Sequence, residues 1–394
     1  MRLTRLNVEN FRMLRELELE GLRGYNVLVG QNATGKSTAL EAARLLLEEA
    51  QMGLSRDDGF RGARGEYVRL SGNLAFSDED LNEMLPDPAP LGLSGWGGVE
   101  REGIVKALME VMGTVETLYN GLPPAEGGGT SIHNKNWRTE EGTDLRGQLR
   151  RSLEGRQLES RFVPRLTDYL LPILPKFCRA RTAAFPASRR VPSSFRVSEA
   201  ERPSLEEMGP WLVQAKGEDR PEFDTYRRLL GEFLPHLRGV LVSPTGRDHL
   251  RLGVAEESLD GMTPADLWSS GTAHLSLLVA SLSFLPRGSV VLVEEPELGL
   301  HPYAIRRLME RMRAAAEEGA MQFIVTTHSP VVTEEVDPEL KDHSMWRFTR
   351  QPDGSAKAVR CETIKDVAKA EDSLKVAERS TEPSRRRRRE EQGE

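Results

Sequence analysis

The sequence is poor in cysteine and has no long apolar run. Cys178 and Cys361 are the only two cysteines among 394 residues, so neither a disulfide framework nor a cysteine-based zinc site is expected. A membrane-spanning helix would require a run of about 18 apolar residues, and the sequence has no such run. The first residues alternate in polarity where a signal peptide would have an apolar core. These absences predict a cytoplasmic protein without a membrane partner.

Sustained heptad repeats are also missing, which excludes a long coiled coil. Hydrophobic residues make up 38% of the chain and charged residues 29%, as in a globular protein with a polar surface. The formal net charge of −7 does not by itself favour nucleic acid. A block of five arginines at residues 385–389 is interpreted as a solvated tail or, alternatively, as a contact for nucleic acid or an acidic partner.

The sequence contains a complete phosphate-loop motif, G-x-x-x-x-G-K-[ST], at residues 30–37. A short apolar stretch at 25–29 predicts a buried strand before it, and residues 37–50 predict a helix after it. In such a motif the glycines let backbone N–H groups face the phosphates, and the lysine reaches the terminal phosphates. The serine binds Mg²⁺, and the helix directs its positive end at the anion. We therefore predict a nucleoside triphosphate site formed by Gly30, Asn32, Ala33, Thr34, Gly35, Lys36, Ser37 and Thr38.

Two carboxylates follow a second apolar segment, at residues 289–293. Such a continuous apolar run is typical of a central strand in a parallel sheet, where ligands bind at the carboxyl ends of strands. We expect Glu294 to hold Mg²⁺, directly or through water, and Glu295 to act as the general base on the attacking water. The alternative is a strand that simply ends in a charged turn.

Two weaker motifs lie on either side of this segment. Ser269, Ser270 and Gly271 begin a long apolar helix that extends to Leu285, and such a helix start is an anion site or merely a good N-cap. Residues 323–327 form an apolar strand that ends at His328, which is a site residue or merely a capped or surface histidine. Neither motif decides a function by itself; their order along the chain does.

The order of the four motifs resembles that of the ABC-type ATPase superfamily. More narrowly, it resembles the RecF/SMC-like branch, which includes the ATPases of the OLD group and related phage-defence systems. The resemblance covers about residues 1–85 and 183–350 and includes the segments 10–12, 268–271, 294–297, 300–302 and 327–330. It implies an α/β head whose mixed sheet, with the phosphate loop, is built from both ends of the chain, with an inserted, mainly helical region.

The resemblance also implies how the site works. Two heads dimerise head to tail, and each nucleotide lies between the phosphate loop of one head and the Ser-Ser-Gly motif of the other. Lys36 and Ser37 would bind phosphate and Mg²⁺, Glu295 would be the hydrolytic base, and His328 would be the switch histidine on the γ-phosphate. The remaining implied site residues are Arg12, near the nucleotide, and Ser269, Ser270 and Gly271, which serve the opposite subunit.

Three features depart from the family pattern. Glu294 replaces the aspartate usual at the metal-supporting position, although glutamate is frequent in this branch. The glutamine that normally links the γ-phosphate to a mobile lobe is not assigned, and Gln51 is merely the nearest glutamine. Only 44 residues follow Arg350, too few for the nuclease domain that OLD enzymes append, so any nuclease is expected to be a separate partner.

The predicted organisation has four parts. Residues 1–85 and 183–362 form the two halves of the ATPase head, 86–182 form the inserted region, and 363–394 form a C-terminal helix and a basic tail. Within these parts the pattern predicts a sheet-edge strand at 66–76 and one amphipathic helix from Ile104 through Leu118.

The favoured function is ATP binding and slow hydrolysis coupled to a dimer or a higher oligomer. This assembly would drive or gate a separate effector, such as a nuclease or toxin, in bacterial anti-phage defence. One alternative is a RecF-like repair ATPase that binds DNA directly. Another is a scaffold that binds ATP, hydrolyses little of it, and holds an effector inactive. The predicted cofactors are ATP and Mg²⁺.

Overall fold

A computed structural model describes residues 1–48, 58–60, 67–87, 100–122, 132–139, 142–155, 162–187, 194–196, 208–244, 249–257, 260–337, 339–363, 365–366 and 368–369. The five-arginine block at 385–389 and Gln51 lie outside these ranges. The strands are β1 (Arg2–Phe11), β2 (Leu14–Glu20), β3 (Tyr25–Val29), β4 (Val68–Ala75), β5 (Thr114–Leu122), β6 (Ile132–Thr139), β7 (Thr182–Phe185), β8 (Ser194–Arg196), β9 (Leu237–Pro244), β10 (His249–Glu256), β11 (Met262–Pro264), β12 (Ser289–Glu294), β13 (Met321–Thr327), β14 (His343–Arg350) and β15 (Ala356–Cys361). The helices are α1 (Lys36–Leu47), α2 (Asp78–Met84), α3 (Arg101–Met112), α4 (Leu145–Gly155), α5 (Phe162–Ala180), α6 (Met208–Gly217), α7 (Pro221–Phe233), α8 (Ser270–Phe284), α9 (Pro302–Glu317) and α10 (Pro330–Thr333).

A six-stranded sheet at the centre has the order β15-β14-β3-β13-β12-β7. All neighbouring strands in it are parallel except β14 and β15. Because β3 comes from the start of the chain and β12 to β15 from its end, the predicted head built from both ends is confirmed. Parallel strands end at the same edge, so residues that follow β3, β12 and β13 meet there.

Both faces of this sheet are covered by apolar side chains. Leu28, Leu292 and Ile324 point into one core, whereas their neighbours Val291 and Val325 point into the other. A parallel sheet buried on both faces needs such continuous apolar strands, which is why β3, β12 and β13 were recognisable from sequence.

The first core is closed by a five-stranded antiparallel sheet with the order β2-β1-β4-β5-β6. The strand predicted at 66–76 is present as β4, but its predicted place at a sheet edge is wrong. It pairs with β1 on one side and with β5 on the other, where Leu70 lies opposite Tyr119. Its alternating pattern arises because only one of its faces meets the core, not because one of its sides is unpaired.

The single helix predicted from Ile104 through Leu118 is also wrong. Helix α3 ends at Met112, and β5 begins at Thr114. The apolar positions before Gly113 recur every three or four residues, whereas Val115 and Tyr119 are buried in an alternating strand. The period therefore changes from 3.6 to 2 at the glycine, and the sequence analysis missed the change.

The region at 86–182 is mainly helical, as predicted, but it also contributes β5 and β6. Its buried leucines, such as Leu108 on α3 and Leu149 on α4, belong to the same core as Leu6 and Leu46 from the first half of the head. The inserted region therefore completes the core of the N-terminal half.

The second core lies under α6 to α9 and a small sheet of β8, β9, β10 and β11. Strands β9 and β10 pair antiparallel. On α9, Ile305, Leu308, Met309 and Met312 form a buried stripe. No helix in the described ranges is long and apolar enough to cross a membrane.

Candidate nucleotide site

The phosphate loop leaves β3 as a tight turn of small residues. A Cβ atom at Gly30 would lie 2.6 Å from the carbonyl oxygen of Phe348, so the backbone there has no room for a side chain. Ala33 and Gly35 have positive φ angles of 60° and 96°. The Thr34 hydroxyl donates to the Gln31 carbonyl at 2.8 Å. These constraints hold the backbone in a curved loop of the kind that surrounds phosphates.

Helix α1 begins directly after this loop, with Gly35 as its N-cap. In the part of the chain that the structure describes, no side chain caps this end, and the first turn carries no acidic residue. The first N–H groups and the positive end of the helix dipole are therefore available to an anion. This environment fits the phosphates of a nucleotide.

Lys36 lies almost fully buried at the centre of the site. Its Nζ donates to the carbonyl oxygens of Gly30 at 2.7 Å and Gln31 at 2.9 Å. Burial lowers the pKa of Lys36, and the nearby carboxylates of Glu295, Glu297 and Glu294 oppose that shift. A buried ammonium group held by loop carbonyls is well placed to exchange them for phosphate oxygens.

The two residues predicted to hold Mg²⁺ lie close together. Ser37 and Glu294 line one cavity of about 270 Å³ beside α1. Glu294 also accepts a hydrogen bond from the Ala187 amide at 3.0 Å. Within the described residues no cluster of three or more His, Cys, Asp or Glu side chains could hold a metal. A hydroxyl and one carboxylate fit Mg²⁺, which usually completes its shell with substrate phosphates and water.

Glu295 and His328, the two residues predicted to serve hydrolysis, lie together. Glu295 has a left-handed backbone, with φ of 45°, and its amide donates to the Thr326 carbonyl at 2.9 Å. Its Oε1 lies 3.1 Å from Nδ1 of His328. Left-handed backbone is costly for a glutamate and is typical of functional positions. Both side chains remain partly exposed, so a substrate can reach them.

The Ser-Ser-Gly motif has a different environment. Ser269 caps α8 by accepting from the Thr272 amide at 3.1 Å, and both Ser269 and Ser270 are exposed. Gly271 is buried, and a Cβ atom there would collide with the carbonyl oxygen of Gly299. The glycine is therefore required by packing within one chain. Neither serine lines the cavity that contains Ser37 and Glu294.

Arg12 lies beside helix α1 and the phosphate loop. Its Nε donates to Oδ1 of Asp58 at 2.7 Å, and its guanidinium is 3.9 Å from Glu41 on α1. The turn that contains it packs on the phosphate loop, since a Cβ at Gly35 would lie 2.9 Å from Leu14. Arg12 is thus near the loop, and its contact with the nucleotide stays a prediction.

Comparisons with known proteins agree with this geometry. A family model described as "AAA ATPase domain" matches residues 1–85, and one described as "AAA domain, putative AbiEii toxin, Type IV TA system" matches residues 150–334. The DNA replication and repair protein RecF of Lactobacillus acidophilus is 37% identical over 82 residues. An SMC head bound to the C-winged helix domain of ScpA superposes with a TM-score of 0.54 at 13% identity, covering 94% of this chain and 100% of that chain. Together these matches support an ABC-type ATPase of the RecF/SMC-like branch.

Sequence similarity to RecF is confined to a short stretch. The match covers 21% of this chain and 22% of the L. acidophilus protein. RecF of Acinetobacter baumannii is 50% identical over 46 residues, 12% of this chain and 13% of that protein. The chain thus matches about a fifth or less of these relatives' length. The Smc head domain of Pyrococcus yayanosii, with a TM-score of 0.52 and 12% identity, covers 95% of this chain and 99% of that chain and supports the fold alone.

Glu297 is a further residue of the candidate site, and the sequence motifs predict no role for it. Its Oε1 accepts from the Thr327 hydroxyl at 2.6 Å and from the His328 amide at 3.3 Å. The only signal in the sequence was a third glutamate shortly after Glu294 and Glu295. Its partner Thr327 is the last residue of β13, 30 residues further along, so the contact could not be read from spacing.

Proposed function

We propose that this chain binds ATP with Mg²⁺ and hydrolyses it, and that nucleotide-dependent self-association gates a separate effector protein. One observation carries the catalytic part of the proposal. The buried Lys36, the Ser37–Glu294 cavity and the Glu295–His328 pair all lie where β3, β12 and β13 end. Residues suited to phosphate binding, metal binding and base catalysis therefore lie at one edge of one sheet.

Each residue has a distinct task in this proposal. The phosphate loop and Lys36 bind the phosphates, and Ser37 and Glu294 would hold Mg²⁺. When bound, Mg²⁺ neutralises phosphate charge and fixes the geometry of the transfer. Glu295 accepts the proton of the attacking water through its carboxylate. His328, whose Nδ1 is 3.1 Å from Glu295, holds that carboxylate in orientation and would contact the γ-phosphate.

The exposed residues around the Ser-Ser-Gly motif support self-association. Leu267, just before the motif in sequence, is 70% exposed, and Tyr303, shortly after Gly299 in sequence, is 66% exposed. Gly299 itself contacts Gly271. Large exposed apolar side chains beside an exposed helix start favour a protein partner. A second copy, with its phosphates against Ser269 and Ser270, would use both features.

Two of the comparisons support a separate effector protein. The description of the matched family as a putative AbiEii toxin favours a toxin-linked defence system. The SMC head in the structural comparison is bound to a domain of another protein, ScpA, which supports a protein partner for a head of this fold.

A second candidate is a RecF-like repair ATPase, favoured by the RecF matches. The two candidates differ in what the purified chain binds. Direct DNA binding that weakens steeply as salt increases would support the repair function. Tight co-purification with a toxin or nuclease, without DNA binding, would support the effector function.

The catalytic proposal predicts a separation between binding and turnover. Glu295→Gln should keep its affinity for ATP, measured by calorimetry, while turnover falls by at least about a hundredfold, because the amide cannot accept the proton. Lys36→Ala should lose ATP affinity, because it removes the charge that meets the terminal phosphates. Glu310→Gln, the same change at an exposed position of α9, serves as the control and should behave as the parent. Parental turnover in Glu295→Gln would refute the assignment.

A further inference from the structure

Glu297 is a buried carboxylate with an unusual set of partners. The residue is only 9% exposed. Its Oε1 accepts two hydrogen bonds, from the Thr327 hydroxyl at 2.6 Å and from the His328 amide at 3.3 Å. Its Oε2 is also buried and, within the described residues, has no hydrogen-bond partner. Burying a charged group with one oxygen unpaired is unfavourable, so stability alone does not explain a glutamate here.

The contacts of Glu297 hold the turn that carries His328. The Thr327 hydroxyl donates to Glu297 and also accepts from the Ser329 amide at 2.9 Å. Glu297 therefore reaches three consecutive residues of this turn, two directly and one through Thr327. The ring of His328 projects from the same turn, with Nδ1 3.1 Å from Glu295 and 3.8 Å from Glu297.

Glu297 also lies in the turn that follows β12, and this turn contacts the Ser-Ser-Gly motif. The Leu298 amide donates to the Glu295 carbonyl at 3.2 Å, and the Leu300 amide donates to the Glu297 carbonyl at 3.1 Å. Between them, Gly299 packs on Ser270 and Gly271. Any movement of this turn would therefore displace His328 relative to Glu295.

We propose that Glu297 is a positioning residue for hydrolysis, which fixes the 327–329 turn so that the His328 ring meets Glu295. This inference rests on the proposed hydrolytic function. Glu297 acts through His328. Glu297 is also one of three glutamates whose charge acts on Lys36, and a glutamine would not supply that charge.

The test measures His328 directly and turnover separately. The chain has seven histidines, so isotope labelling of histidine gives few ring signals, and His328→Asn identifies the one from His328. We expect Glu297→Ala to shift and broaden this signal without nucleotide. With ATP, its kcat should fall roughly tenfold to a hundredfold while KM stays near the parental value. Glu297→Gln keeps an oxygen acceptor for Thr327 and should retain the His328 signal and more of kcat.

A second variant covers the case in which Glu297→Ala fails to fold. Thr327→Val removes the 2.6 Å hydrogen bond with little change of shape, and it should shift the His328 signal and lower kcat in the same direction. An unchanged His328 signal and an unchanged kcat in Glu297→Ala or Thr327→Val would overturn the positioning role. A parent chain without hydrolysis would refute the proposed function instead, and the His328 signal would still decide whether Glu297 holds the ring.

Discussion

At the scale of single residues, the site concentrates charges that most proteins keep apart. Lys36 is buried near three carboxylates, of which Glu297 is almost fully buried and Glu295 is held in a left-handed backbone. Each feature costs free energy in the folded chain. Their concentration where β12 and β13 end, beside the phosphate loop, is typical of a functional site.

His343, at the start of β14, gives a residue-scale prediction on stability. Its side chain is 1% exposed, and burial lowers its pKa below the usual 6.5, against an opposing effect of Glu317. Between the lowered folded pKa and 6.5, the unfolded chain binds more protons than the folded chain. The free energy of unfolding should therefore rise with pH through this window, and this contribution is lost as pH falls below about 6.5.

The measurement compares denaturant unfolding at pH 7.5 and pH 5.5. In His343→Gln, the difference in unfolding free energy between the two pH values should be smaller than in the parent. The reduction is at most about 1.4 kcal/mol, because pH 5.5 lies about one unit below the pKa of an unfolded histidine. His236→Gln, at an exposed position, should keep the pH dependence of the parent. An identical pH dependence in His343→Gln and the parent would contradict the assignment.

At the scale of secondary-structure elements, the antiparallel sheet and the region at 100–180 act as one unit. Leu149 on α4 is fully buried in the core that also contains Leu6 and Leu46. Leu149→Ala should therefore destabilise the N-terminal half of the head, by about 2 to 5 kcal/mol as for other buried leucines. Leu340→Ala, at a 46% exposed position, should have little effect. A small effect of Leu149→Ala on the unfolding midpoint would show that the inserted region folds separately.

Elements with one clear period were predictable, and elements defined by distant pairing were not. The apolar strands β3, β12 and β13 and the helix α1 all carry local signals. The position of β4 inside its sheet depends on β5, which begins only at Thr114, and no local pattern reports this pairing. The same applies in the site: Lys36 and Glu295 were recognisable from motifs, whereas the contact of Glu297 with Thr327 needs two strands to be aligned.

At the scale of the whole molecule, the phosphate loop and the exposed Ser-Ser-Gly motif of one head lie at different places on its surface. Ser269 and Ser270 are exposed, and the cavity of Ser37 and Glu294 does not include them. Gly271 is a poor position for testing a shared site, because its neighbour Gly299 leaves no space for a side chain. Ser270 is a better one, because a longer side chain there can extend into solvent.

The most direct test of the proposed nucleotide-dependent assembly mixes two inactive variants. Lys36→Ala lacks phosphate binding and Ser270→Arg would block the face offered to the partner, so each alone should hydrolyse almost no ATP. Thr143→Arg, a similar change at an exposed residue before α4, should remain active and serves as the control for Ser270→Arg. A mixture of parent with a large excess of Lys36→Ala, in which almost every parent chain is in a mixed dimer, shows whether one intact site works beside a damaged one.

A head-to-tail dimer of the two variants has one site with both changes and one site with neither. We therefore predict that ATP turnover returns when Lys36→Ala and Ser270→Arg are combined. If mixed dimers form, the Lys36→Ala and parent mixture is active, and the combined variants still hydrolyse no ATP, the shared site is contradicted.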